Sequence, residues 1–203
     1  MYSRTIVRSI ASYKINAVIK ILILSDFLIF SAYQLFTPLF AIFIVDEIGG
    51  HVEAAGITVA IYLIFKSIFE MPVGIFIDKS KSEKDDLWAA ILGSILVAMV
   101  YFSYIFVDSI LQLYVLQAVL GIAAAIAFPG WYTLFTRHVD KGKEGFEWSL
   151  YDVLLGAGMA AAAALGGFIV SLYGFEVLFI VAAIITVLGA LLLFSIKNKI
   201  YTK

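Results

Sequence analysis

Long apolar runs separated by short polar segments dominate the chain. A helix needs about 20 apolar residues to cross a bilayer, because the hydrocarbon core is roughly 30 Å thick and each residue rises about 1.5 Å. Six runs are long enough, and they cover residues 21–45, 54–77, 87–107, 110–135, 149–172 and 175–196. In lipid only helices and closed barrels satisfy every backbone polar group, and these runs are too long for barrel strands. The pattern predicts an all-α polytopic membrane protein with six transmembrane helices.

No linker rich in glycine or serine divides the chain, so the runs predict one membrane domain over residues 21–197. A cytoplasmic segment, residues 1–20, precedes it, and a short cytoplasmic tail, residues 198–203, follows it. The first segment mixes apolar residues with cations. We interpret it as a tail that sets the topology, and an interfacial amphipathic helix is the alternative.

Composition agrees with this class. The 203 residues are 63% hydrophobic and 14% charged, whereas soluble domains average about 45–50% apolar residues. The net charge of −1 gives no reason to expect a nucleic-acid partner. The chain has no cysteine, and its two histidines, His51 and His138, lie in predicted loops. We therefore expect no metal, no cofactor and no enzyme activity, because a Ser–His dyad cannot form within the spans.

The cations predict the orientation. Thirteen of the fourteen Lys and Arg residues fall on one side of a six-span arrangement, and the fourteenth is Lys66 inside the second run. The thirteen are Arg4, Arg8, Lys14, Lys20, Lys79, Lys81, Lys84, Arg137, Lys141, Lys143, Lys197, Lys199 and Lys203. Because cytoplasmic loops carry the excess of cations, both termini are predicted to be cytoplasmic. The expected location is the cell membrane, plasma or inner, with multiple passes.

The six runs divide into two triplets. The first run of each triplet carries a single proline near its far end, Pro38 and Pro129. Three spans per triplet make the two triplets enter the membrane from opposite sides. This arrangement predicts two inverted three-helix repeats.

A motif at the end of the second run points to a family. Residues 74–79, GIFIDK, resemble the Gly-x-x-x-Asp-Arg/Lys signature between helices 2 and 3 of the major facilitator superfamily. The usual continuation, x-Gly-Arg-Arg/Lys, is replaced by SKSEK at residues 80–84. The basic loop 137–147, the pair Gly166-Gly167 and the sequence YGF at 173–175 are also similar to that family.

The resemblance implies a secondary-active transporter, a symporter or antiporter, that moves a small organic or sugar-like solute by alternating access. Family members usually have twelve spans, whereas this chain has six predicted ones. We therefore expect a half-size transporter that works in the bilayer as a homodimer, because a lone half would expose polar groups to lipid. One alternative is a half that pairs with a different half or belongs to a larger protein. Another is a non-transporting assembly or lipid-handling protein.

Two charged residues interrupt the second run. Lys66 lies near its middle and Glu70 follows four residues later, on the same helix face. Charged groups at this depth are costly and usually functional. Lys66 is predicted to bind an anionic or polyhydroxylated substrate, or else the two residues exchange partners during gating. Desolvation would favour the protonated form of Glu70, which could then carry a proton. The alternative is an ion pair that only fixes packing.

The first run carries a polar stripe that is predicted to face a central path. Asp26, Tyr33 and Thr37 lie within about 40° of one another around the helix axis, and Gln34 flanks them. The resemblance implies that an acidic residue in helix 1 serves as the protonation site in proton-coupled members. Asp26 matches that position by location alone. A structural role near the inner interface is the alternative.

The fourth run adds Gln117 and Phe128 to the predicted pathway, which suits a flat or sugar-like ligand. Trp131 and Tyr132 follow, and we interpret them as part of an interfacial aromatic belt, with a place in the pathway as the alternative. At the cytoplasmic side, an inner gate is predicted from charged and small residues that come together there. Its candidate members are Gly74, Asp78, Lys79, Arg137, Lys143 and Asp152. A solvated cluster of loop charges is the alternative.

Overall fold

The structure is a computed structural model, and it describes residues 14–79 and 82–200. Within these ranges all regular structure is helical, and five helical stretches are long and apolar enough to cross a membrane. The helices are α1 (Ala17–Phe36), α2 (Val52–Lys79), α3 (Glu83–Ser103), α4 (Ile110–His138), α5 (Glu144–Phe194) and the short α6 (Lys197–Ile200). The predicted all-α polytopic class is confirmed at this level. Residues 1–13 of the predicted segment 1–20 and residues 201–203 of the predicted tail 198–203 lie outside the described residues.

Local side-chain caps explain where three of the helices begin. The Asn16 side chain accepts a hydrogen bond from the Ile19 amide at 2.9 Å, ahead of α1. Ser82 accepts from the Lys84 amide before α3, and Ser109 accepts from the Gln112 amide before α4. Because the first amides of a helix have no partner inside it, such residues stabilise these starts.

Pro38 changes the far end of the first helical stretch. The α-helix ends at Phe36 and continues as a 3₁₀ turn, Thr37–Leu39. A short helical segment, Phe40–Ile42, and a π turn, Phe43–Glu47, then complete the stretch. A proline removes one backbone donor and crowds the preceding turn, which accounts for the change of winding.

Helix α5 is interrupted at Gly174. Its 51 residues would extend about 77 Å if they were straight, far beyond the roughly 30 Å of a bilayer core. Gly174 has φ 80° and ψ 177°, a backbone conformation that is open almost only to glycine. We call residues 144–173 the N-terminal arm of α5 and residues 175–194 the C-terminal arm. The break lies between the predicted runs 149–172 and 175–196.

Packing pairs the helices in two groups. Helix α1 lies against both arms of α5, α4 lies between α2 and α3, and α3 also contacts α5. Glycine allows the closest approaches. The Gly166 backbone faces the carbonyl oxygen of Leu35, and the Gly121 backbone faces the carbonyl oxygen of Tyr62. Small residues let membrane helices approach in this way, so these contacts fix the positions of α1 and α2.

Candidate functional site: a central cavity

A cavity of about 170 Å³ lies between α1, α2, α3 and α4. Each helix contributes one face, and α3 does so with residues spaced by four, three and four positions. Aromatic and aliphatic side chains form most of the wall, and a few polar groups point among them. The lining residues are Asp26, Ile29, Phe30, Tyr33, Tyr62, Lys66, Ala90, Ser94, Val97, Tyr101, Leu120, Ala124, Ala127, Phe128 and Trp131.

The polar stripe of α1 only partly reaches this cavity. Asp26 and Tyr33 line it. The Thr37 hydroxyl donates a hydrogen bond to the Tyr33 carbonyl oxygen at 2.7 Å, as threonines on helices commonly do with the carbonyl four residues earlier. Neither Thr37 nor Gln34 lines the cavity.

Asp26 is almost fully buried, with 6% of its surface exposed. The Tyr151 hydroxyl, from the N-terminal arm of α5, donates a hydrogen bond to its Oδ2 at 2.9 Å. Tyr151 in turn packs against Trp131, whose ring centroid lies 5.1 Å away. The Trp131 indole N–H donates to the Leu22 carbonyl oxygen at 3.3 Å. The carboxylate is therefore held by contacts among α1, α4 and α5.

Lys66 projects from α2 at the other side of the cavity. Its Nζ lies 3.7 Å from Oε2 of Glu70, an ion pair that is too long for a strong hydrogen bond. The same Nζ lies 4.5 Å from the centroid of the Phe128 ring, which is a cation–π distance. Glu70 is not among the lining residues. The ammonium group thus faces the cavity and a ring, and it is only loosely paired with Glu70.

With this geometry in view, one comparison decides the family. The model of the Major Facilitator Superfamily matches residues 22–200. The chain belongs to this superfamily. The match covers every residue that lines the cavity, and it agrees with the resemblance found in the sequence. Members of the superfamily are membrane transporters in general, rather than enzymes. A comparison with curated proteins gives no match.

The superfamily signature lies at the end of α2, which terminates at Lys79. Asp78 and Lys79 are exposed, and a Cβ added at Gly74 would meet no atom within 4 Å. Asp152 is also exposed, on the N-terminal arm of α5. The structure therefore places Asp78, Lys79 and Asp152 at the surface of the chain.

Arg137 and Lys143, the cationic members of the predicted gate, have partners that were not predicted. Arg137 Nη1 lies 2.7 Å from Oδ2 of Asp86, which is fully buried in the first turn of α3. Lys143 Nζ lies 2.8 Å from Oδ2 of Asp140. The hydrogen bond from Lys143 lowers the pKa of the Asp140 carboxyl below its usual value. The first pair joins the last turn of α4 to α3, and the second lies within the segment between α4 and α5.

Gln117 is buried, and its amide Nε2 donates to the Tyr104 hydroxyl at 3.2 Å. This bond lies behind the cavity wall rather than on it. Trp131 lines the cavity and is 4% exposed, whereas Tyr132 is 40% exposed. The interfacial-belt interpretation therefore does not describe Trp131.

Several lining residues were missed from the sequence. Tyr62 stands one helical turn before Lys66, so its spacing could have identified it. Ser94 and Tyr101 come from α3, a helix with no charge in its middle to draw attention. Tyr151 does not line the cavity but donates a hydrogen bond to Asp26, and recognising it required knowledge of how α1 packs on α5. Among the described residues, no group of three or more His, Asp or Glu side chains could hold a metal ion.

Proposed function

We propose that this superfamily member is a secondary-active transporter of a small organic solute that works by alternating access. The observation that carries the proposal is the central cavity, which brings Asp26 of α1 and Lys66 of α2 to one small space. Ionisable side chains inside a membrane domain mark substrate or ion pathways. A mostly apolar pocket with a few polar groups is also the usual form of a small-molecule site.

The lining favours a sugar-like or small organic molecule. Tyr33, Tyr62 and Tyr101 offer phenol groups, and Phe128 and Trp131 offer aromatic faces. The Lys66 ammonium group provides one cation that is not committed to a tight hydrogen bond. Phenols and aromatic faces together suit a ligand with hydroxyl groups and one apolar face.

We propose six spans with the Gly174 break as the turn between the last two. The arrangement consists of two inverted triplets, and the pairing of helices supports it: α1 packs on the arms of α5, and α4 packs on α2 and α3. In this arrangement α1 and α4 have equivalent places. The distribution of cations then puts both termini in the cytoplasm of a cell-membrane protein.

The working unit in this proposal is a homodimer. Helix α2 is the least covered of the five stretches, with 6% of its most apolar window buried. Yet it carries Lys66 and Glu70, whose side chains are 22% and 35% exposed. Leaving such groups against lipid is costly, and a second half would cover them. A two-fold axis lets the same surface serve on both copies.

Proton coupling is an addition to the proposal. Asp26 is a buried carboxylate at the cavity wall with a hydroxyl donor, Tyr151, as its hydrogen-bond partner. No cation is paired with it within 4.0 Å in the described part of the chain. Such a group is able to gain and lose a proton during the transport cycle.

A ligand screen followed by uptake tests the transport proposal. Purified protein is screened by thermal shift against monosaccharides, small carboxylates and small aromatic compounds, and any compound that raises Tm is tested in proteoliposomes. We expect uptake of at least one such compound, and its loss in Lys66→Met. Ser67→Ala is the matched control, because Ser67 is the exposed neighbour of Lys66 and does not line the cavity.

Binding that is equal in Lys66→Met and in the control would contradict the assignment of the site. Uptake that is unchanged by a pH gradient and by Asp26→Asn would contradict proton coupling. Asp46→Asn, at the exposed end of the same helical stretch, is the control.

Mass measurement in mild detergent tests the dimer. A particle of one copy that transports would disprove it, and activity only with a second, different chain would identify a mixed pair.

A further inference from the structure

A second concave surface lies at the start of α1, outside the central cavity. It is a groove of about 420 Å³ between α1 and the N-terminal arm of α5. Its wall is apolar except for one lysine at the rim. The lining residues are Ile15, Lys20, Ile23, Leu24, Phe27, Leu150 and Leu154.

The groove opens away from the central cavity. On α1, Asp26 lines the cavity, whereas Leu24 and Phe27 line the groove. Leu24 and Phe27 lie about 160° and 100° around the helix from Asp26. The groove therefore opens on a different side of α1 from the transport path.

The single charged residue of the groove, Lys20, lies at the end of the groove near the start of α1. Lys20 is in the first turn of α1, and Phe27 is seven residues, about 10 Å, further along the helix. Lys20 is exposed, and in residues 14–79 and 82–200 no carboxylate lies within 4.0 Å of its Nζ. Leu24 and Leu154 leave 49% and 39% of their surface exposed. The ammonium group of Lys20 therefore lies at one end of the groove, and leucines along the groove are partly exposed.

We propose that this groove binds one anionic phospholipid of the cytoplasmic leaflet. The phosphate pairs with the Lys20 ammonium group, and one acyl chain lies along Ile23, Leu24, Phe27 and Leu154. A cation above an apolar groove matches the shape and charge of such a lipid, and basic pockets between helices on this side of a membrane bind acidic headgroups. The inference rests on the cytoplasmic orientation of the proposed function and is independent of the solute transported.

Native mass spectrometry of the full chain tests the site. The protein is reconstituted with equal amounts of dioleoyl phosphatidylglycerol and dioleoyl phosphatidylcholine, and the lipid retained after mild detergent extraction is counted. We expect phosphatidylglycerol to be retained preferentially. Lys20→Ala is expected to lower this preference about fivefold, which corresponds to about 1 kcal/mol for one cation near an anionic surface.

Matched variants separate the groove from general surface charge. Lys20→Arg should keep the preference because the charge remains. Lys141→Ala, which removes a lysine from an exposed loop outside the groove, should also leave it unchanged. Leu154→Trp should reduce retention of both lipids, because the indole fills the channel while Lys20 stays in place.

Three results would overturn the proposal. Equal retention of the two lipids by the parent protein would show that the site does not select an acidic headgroup. An equal loss in Lys20→Ala and Lys141→Ala would show that the lysine acts only through the general surface charge. A change in dimer fraction with Leu154→Trp, without a change in retained lipid, would make the groove a contact between copies. The number of retained lipids is measured without transport, so the result does not depend on the outcome of the solute uptake assay.

Discussion

The Tyr151 hydroxyl donates a hydrogen bond to Oδ2 of Asp26 at 2.9 Å, and this bond joins the N-terminal arm of α5 to α1 at the wall of the central cavity. Any movement that separates these two helices must break it. The bond therefore couples the environment of a buried carboxylate to the packing of helices that also depends on Gly158 and Gly166.

Tyr151→Phe tests this coupling. The ring keeps its packing against Trp131 and Phe135, but Asp26 loses its hydroxyl donor. We expect a loss of about 1–3 kcal/mol in unfolding free energy, because a buried polar group is left unsatisfied. The pH profile of uptake should also shift if Asp26 carries the proton. Tyr173→Phe, at an exposed position of the same arm, is the control. If stability falls but the pH profile of uptake is unchanged, the role of Tyr151 is purely structural.

A double-mutant cycle on Lys66→Met and Glu70→Gln measures whether these two residues form a fixed pair. The 3.7 Å separation and the partial exposure of both side chains predict a coupling energy of about 0.5 kcal/mol or less. The measurement is the unfolding free energy of the two single variants and the double variant in detergent. A coupling of about 2 kcal/mol would instead indicate a permanent pair, and Lys66 would then be unavailable to a substrate.

Arg137→Met should destabilise the protein more than most surface substitutions. It removes the counter-charge of Asp86, which is fully buried and has a second oxygen, Oδ1, with no hydrogen-bond partner among the described atoms. We expect a loss of about 3 kcal/mol, at the low end for a broken buried pair because Arg137 is partly exposed. Denaturation in detergent measures it, and Lys141→Met is the control. Adding Asp86→Asn should recover part of the loss, and no recovery would contradict this explanation.

Two adjacent glycines give an internally controlled test of the α1–α5 contact. A Cβ at Gly166 would overlap the carbonyl oxygen of Leu35, whereas a Cβ at Gly167 would meet nothing within 4 Å. Gly166→Ala is therefore expected to cost about 1–3 kcal/mol of stability, because the backbones must separate. Gly167→Ala should be neutral or slightly stabilising, since alanine is the better helix former. Equal effects on Tm would show that the close approach is absent.

The Asp140–Lys143 pair predicts a dependence on acid. Because the hydrogen bond from Lys143 lowers the pKa of Asp140 in the folded protein, its contribution to stability is present above the ordinary value of 3.8. That contribution is lost as the pH falls below 3.8 through the folded pKa. The Tm should therefore fall less steeply between about pH 4 and about pH 2 in Asp140→Asn than in the parent. Asp46→Asn, at an exposed site, should follow the parent curve.

Much of the fold could be predicted because apolar length is nearly sufficient to specify a membrane helix. The predicted run 54–77 became α2, Val52–Lys79, and the run 110–135 became α4, Ile110–His138. The predicted runs stop short of the observed helix ends because charged residues such as Glu83 and Arg137 continue a helix beyond the hydrocarbon core. The motif GIFIDK at 74–79 also identified the family correctly, since the family match covers it.

The site was less accessible to sequence reasoning. Asp26, Tyr33, Lys66 and Phe128 were recognised because polarity or aromaticity is unusual at their positions, and all four line the cavity. Tyr151 and Asp86 were not recognised, because their importance depends on partners 125 and 51 residues away. No periodic pattern along one helix reveals which residue of another helix will meet it. The roles of the site residues stay predictions for the experiments above.

The one-residue corner at Gly174 has a consequence for labelling the protein. The two arms of α5 meet there without a loop, and Phe175 immediately enters the aromatic cluster around Phe43 and Phe179. No loop is present there to accommodate an inserted epitope or protease site. An insertion would therefore displace the Phe175 ring from the cluster. A tag between Lys141 and Gly142 would instead lie in an exposed turn outside the helices.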